Sequence, residues 1–173
     1  MKPSRSMGLL LSGDGNSPHL QGILTASGIQ TQALGADTAP DAVFKAMTLV
    51  RTSGANAWGS AEPSGLVLNP TDWQAVRLLK TTTGEYIWGE PMAPGPATFW
   101  GLPAVITNAI TQGTVLVGDF RMYSHISRRK GLTIQVSNSH SDYFTKGIQA
   151  IRMDQRLSLE VYRGAAFCKV TGL

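Results

Sequence analysis

A chain of 173 residues suits one domain or two small lobes, and its single cysteine, Cys168, excludes an internal disulfide and a cysteine zinc cluster. Charged residues make up only 15%, against roughly 25% in an average soluble domain, so Ser, Thr, Gly, Asn and Gln must cover much of the exterior. The net charge of +4 is unevenly placed: residues 1–120 carry six Lys and Arg against eight Asp and Glu, and residues 121–173 carry nine against three.

Residues 1–12 run from the polar "MKPSRS" to an apolar "LLL" with no stretch long enough for a signal core, and nowhere are there about 18 consecutive apolar residues. This pattern and the lone cysteine point to a protein made in the cytoplasm. "SGDGNSPHLQG" is dense in turn formers and reads as a structured loop. Thr38 is placed to cap a helix running through Asp41 to about Arg51, with Phe44, Met47 and Val50 or Val43 on one buried face. "LVLNP" reads as a strand ended by Asn69-Pro70, an N-cap and a first-turn proline for the helix in "TDWQAVRLLK". "YIWG" is a short strand candidate, and "EPMAPGPATFWG" an extended loop.

From Leu102 the branched runs "LPAVIT", "TVLVGDF" and "GLTIQV" read as strands, the first two as a buried pair joined by a small loop. In "IRMDQRLSLEVYRG" the apolar Leu157, Leu159 and Val161 alternate with Arg156, Ser158 and Glu160, a strand with one wet face. "AAFCKVTG" is a closing strand. Helices among strands, followed by a run of strands, predict an α+β architecture.

Little of this carries chemistry. "SGDGNS" lacks the third glycine of a dinucleotide fingerprint and the Lys-Ser/Thr of a phosphate loop, and only Asp14 is present where a calcium loop needs several acids. Ser139, His140 and Asp142 lie together in "SNSHSDYF", but a catalytic triad is assembled from separate loops, and neighbours on one turn point apart. A hydrolase using them is the remote alternative. Cys168 sits in an apolar run as a small buried hydrophobe. The residues imply no enzyme, cofactor or metal site.

The ordered set "LLLSGDGNSPHLQGIL", "LVLNPTDWQAVRLLK", "GEYIWG", "WGLPAVITNAITQGTVLVGDF", "GLTIQVSNSHSDYFTKG" and "IRMDQRLSLEVYRGAAFCKVTG" resembles tailed-bacteriophage major capsid proteins of the Hong Kong 97 type, from about Leu9 to Leu173. The resemblance implies a truncated version of that α+β fold: a small sheet with flanking helices plus an elongated antiparallel β lobe. Residues 1–19 would be an N-terminal segment and loop, 20–117 a central lobe, and 118–173 the β part of a peripheral lobe. The family's N-terminal arm, extended hairpin loop and spine helix precede the "LLLSGDG" position, and Met1–Ser6 cannot supply them. The chain is therefore expected not to close normal shells alone.

The resemblance also implies a function: a structural subunit of the virion capsid, made in the bacterial host cytoplasm. It would associate with copies of itself or of a full-length subunit in pentamers or hexamers, with weak non-specific contact to packaged DNA and no membrane or small-molecule partner. A capsid-derived protein that co-assembles with a complete subunit and interferes with it is the alternative. Some family members join subunits by a Lys–Asn isopeptide bond promoted by a Glu; the matching positions here are Gly147 and Asp154, which implies no crosslinking. The family's "YRP" reads Tyr162-Arg163-Gly164. Arg128, Arg129, Lys130, Arg152 and Arg156 are the expected intersubunit or interior-facing charges.

Overall fold

The branched runs become strands, and most of them meet in one sheet. The computed structural model describes residues 10–16, 19–53, 59–88 and 96–173. Among these the strands are β1 (Gln30–Ala33), β2 (Gly65–Leu68), β3 (Thr98–Phe99), β4 (Leu102–Ile106), β5 (Thr114–Gly118), β6 (Ser124–Ser137), β7 (Ala150–Val161) and β8 (Phe167–Thr171). Helices include α1 (Ala39–Thr52), α2 (Pro70–Arg77) and the single turn α3 (Phe120–Tyr123). The expected α+β class is what forms. The "MKPSRS" segment, Trp58, Gly89 and residues 90–95 of the expected Pro/Gly loop lie outside the described residues; the rest of that expected loop is not all loop, since Thr98–Phe99 pair with β4 as β3.

Six strands form a sheet in the order β1-β8-β5-β2-β4-β3. β1 with β8 and β2 with β4 run parallel; the other neighbours are antiparallel. The centre is dry: Val115, Leu116 and Val117 of β5, Leu66 and Leu68 of β2, and Phe167, Cys168 and Val170 of β8 are at most 1% exposed. α1 lies over β8, β1 and β5 and buries Ala42, Val43, Ala46, Met47 and Val50, the three-and-four spacing of one helical face. The return to β8 is fastened to this helix. Ser53 Oγ donates to Ala165 O at 2.8 Å, and Arg163 Nη2 donates to Ser53 O at 3.0 Å.

By packing, the chain divides into residues 1–125 with 161–173, and residues 126–160. This differs from a boundary at 117/118 because β8, late in sequence, pairs with β1 and β5. The second unit contains the paired strands β6 and β7, of 14 and 12 residues.

The caps follow the sequence unevenly. Asn69 Oδ1 accepts from Thr71 N at 3.0 Å, with Pro70 opening α2. Thr38 precedes α1 but its hydroxyl donates to Asp41 Oδ2 at 2.6 Å instead of capping the backbone. Phe44, expected in the buried face, is 45% exposed, because the sheet is met by positions 43, 46, 47 and 50. "YIWG" is not a strand: Tyr86 makes only an isolated bridge to Lys80, and Ile87 and Trp88 turn away. β4 and β5 are not paired with each other, since β2 lies between them, and β4 is largely exposed.

Gly164 lies in a 3-10 turn that runs against the backbone of Ser27, Gly28 and Ile29. A Cβ there would collide with the Ser27 carbonyl oxygen, a backbone atom that cannot swing aside. Gly131 in β6 faces open space. Gly164→Ala should therefore cost about 1–3 kcal/mol and lower the denaturation midpoint in urea, while Gly131→Ala leaves it unchanged. Equal midpoints for the two variants would refute the close approach.

Candidate assembly surface

β6 and β7 are each amphipathic with the period of two expected of a strand. In β6 the positions of one parity hold Ile126, Leu132, Ile134 and Val136, and the other parity holds Ser127, Arg129, Thr133 and Gln135. In β7, Ile151, Met153, Leu157 and Leu159 share one face, and Arg152, Asp154, Arg156 and Ser158 the other. A two-stranded ribbon has nothing of its own to cover such a face. Leu132 is 62% exposed and Ile151 66%. Isolated two-stranded hairpins are at best marginally stable in water, and contiguous exposed apolar surface marks an interaction site.

The five cations singled out in the sequence all lie on this unit and are exposed, but not as one patch. Arg128 and Lys130 share the parity of Ile126 and Leu132, so the β6 apolar row is interrupted by charge. Arg129 points to the opposite face. Arg152 and Arg156 share the polar face of β7, and Arg152 is already engaged, donating from Nε and Nη2 to Asp154 Oδ2 at 2.9 and 2.6 Å.

That pairing bears on the crosslink positions. Asp154 is held by Arg152, and Gly147 occupies the left-handed region at φ +65° with open space where a Cβ would stand. Gly147 has no side-chain carbonyl, so no electrophilic carbon is present at that position. In the neighbouring loop the residues of the Ser-His-Asp grouping are engaged elsewhere. Ser139 Oγ lies 2.8 Å from Ser137 Oγ, the His140 ring packs edge-on against Tyr143, and Asp142 pairs with Lys146. The structure gives each a partner outside the trio.

The sequence did not show that its aromatics converge. Trp88 stacks on Phe99 at 5.3 Å and meets Trp100 edge-on at 5.9 Å, while Phe44 lies 5.2 Å from Trp100. Trp73 joins at 6.4 Å from Phe99, with the Arg77 guanidinium over its ring. Only the sheet register brings these positions together. Among the described residues, no group of three or more His, Cys, Asp or Glu is placed to hold a metal, and no helix is long and apolar enough to cross a membrane.

The fold is that of the Hong Kong 97-type shell proteins. The capsid of a native GTA particle matches with a TM-score of 0.73, covering 95% of this chain and 65% of that one at 23% identity. A structure from Gordonia phage Cozz matches at 0.73 over 97% and 58% at 15% identity, and the virus-like particle from Pyrococcus furiosus at 0.61 over 95% and 62% at 16%. Residues 8–172 match the model of the phage capsid family, and the chain belongs to that family. It is 40% identical over 167 residues to the major capsid protein of Enterobacteria phage HK97, covering 95% of this chain and 42% of that relative. The chain thus spans less than half of that relative's length.

Cys168, the remaining nucleophile, is walled in by β1 and β5 and has no exposed surface. Burial pushes its thiol up to about 11, and the backbone N–H of Gln32 offsets only part of that rise. Because the folded state holds the proton more tightly than a free thiol at 9.0, this contribution is intact below pH 9 and is lost as pH climbs toward 11. A thiol reagent at pH 8 should leave the folded chain unlabelled and modify it fully after unfolding. Cys168→Ala should flatten part of the stability decline above pH 9. Rapid labelling of the native chain would contradict the burial.

Proposed function

We propose that the chain is a structural portion of a phage shell, acting by association with copies of itself or of a full-length capsid subunit in pentameric or hexameric capsomers. What carries this is the β6–β7 unit: strands with exposed apolar rows, in a chain whose family is that of phage capsids. The unit of residues 1–125 with 161–173 serves as the central lobe and residues 126–160, with β6 and β7, as the β part of the peripheral lobe. Burial of the apolar rows drives association at about 25 cal/mol per Å², and the surrounding cations set register and salt dependence. Arg128, Arg129, Lys130, Arg152 and Arg156 face a neighbouring subunit or the interior, where the same charges give weak, non-specific contact with packaged DNA. The chain acts in the virion capsid and is made in the host cytoplasm.

Light scattering on a size-exclusion column tests this directly. The chain should run as an oligomer whose population falls as salt is raised, and the Arg128→Glu, Arg129→Glu, Lys130→Glu triple variant should shift at least tenfold toward monomer. A wild-type chain that stays monomeric at all concentrations would sink the proposal. On a denaturing gel, every oligomer should dissolve to the single-chain band, because Gly147 offers no carboxamide to an attacking lysine. A ladder of covalent multimers would show that another pair has taken over that chemistry.

A further inference from the structure

The β3–β4 turn places a tryptophan where a small polar residue belongs. Phe99 pairs with Leu102, leaving Trp100 and Gly101 as the two turn residues, with φ of +51° and +79°. Both angles are positive, as in a type I′ turn, which favours Asn-Gly and strains a bulky side chain. Trp100 is nevertheless 46% exposed, and its ring is fixed by Nε1 donating to Pro40 O at 3.0 Å. With the exposed Phe44 it forms the aromatic wall of a cleft of about 400 Å³ whose remaining lining is Asp37, Asp41 and Lys45.

Two carboxylates face one ammonium there. Asp37 accepts from Lys45 Nζ at 2.6 Å, while Asp41, in the first turn of α1, accepts from the Thr38 hydroxyl and has no cationic side-chain partner among the described residues. An aromatic face beside an under-compensated carboxylate is the chemistry that receives a guanidinium or ammonium, which stacks on the ring while its N–H groups reach the acid. A neutral apolar ligand would leave Asp41 facing it unpaired.

We infer that this cleft is a docking site for the basic run Arg128–Lys130 of a second copy of the chain, with one of those cations seated on Trp100 beside Asp41. Charge complementarity selects this occupant. The cleft itself sets two carboxylates against one ammonium, residues 126–160 carry six Lys and Arg against three Asp and Glu, and Arg128, Arg129 and Lys130 are exposed and absent from the ion pairs found among the described residues. The contact is head-to-tail, each copy offering a cleft to one neighbour and a basic run to another, which is the kind of interface that builds rings. It rests on the self-association proposed above and specifies one junction within it.

The arrangement allows a charge swap in trans, read by sedimentation velocity. Asp41→Lys alone should weaken association at least tenfold, as should the triple glutamate variant of residues 128–130. An equimolar mixture of the two chains should recover wild-type association, because the altered cleft then meets the altered run and the native cleft meets the native run. Trp100→Asn, which suits the turn but removes the ring, should also weaken association at least tenfold while circular dichroism confirms the fold. That variant carries the test if Asp41→Lys does not fold. Wild-type association by Asp41→Lys would overturn this contact and leave shell assembly standing, as would a mixture that fails to recover. A wild-type chain that never associates would overturn both.

Discussion

The insertion of β8 between β1 and β5 is the constraint on which the rest depends. β8 is antiparallel to β5 and parallel to β1, so one short segment supplies both neighbours with their hydrogen bonds and places Phe167, Cys168 and Val170 in the core under α1. That fit requires close approach at its entrance. Gly118 leaves room for the Phe167 ring, and Gly164 lets the returning chain lie against Ser27. Ser53 and Arg163 then tie the return to the end of α1. A buried strand cannot leave backbone donors unpaired without a cost of about 1–3 kcal/mol each, so this pairing is held as a unit or not at all.

The β6–β7 unit follows a different economy. Its strands are long and its apolar residues exposed, and it lacks a second layer within residues 126–160. Side chains such as Leu132 and Ile151 gain nothing from folding unless another surface covers them. A chain that works by association can leave that stabilisation to assembly. The charges interleaved with the apolar row, Arg128 and Lys130, oppose non-specific stacking of such ribbons and favour partners that offer acid.

Local patterns were legible where one element decides its own form. Asn69-Pro70 fixed the start of α2, and the alternation at Leu157, Leu159 and Val161 marked β7. The resemblance carried in the ordered motifs led to the family that the comparison with known proteins then showed. Long-range consequences were not legible. Nothing local says that β2 separates β4 from β5, or that Phe44 turns from the core to meet Trp100, 56 positions later in the chain. "YIWG" has strand-forming residues, but its neighbour Arg77 binds the Trp88 carbonyl and holds it in a turn. The candidate surface was visible as charge and only half visible as hydrophobicity, because alternation shows that a strand has an apolar face and is silent on whether anything covers it.

The pairing of Gln30 with Cys168 and of Ala33 with Thr171 also sets an order of events. β1 has no sheet partner until residues 167–171 have been made. Such distant contacts close slowly, since the entropy of the intervening loop is spent before the hydrogen bonds form. Until then β1 has an open edge on the side that β8 will fill, and so does β5. β8 acts as a latch: the sheet is complete only once residues 167–171 have been made.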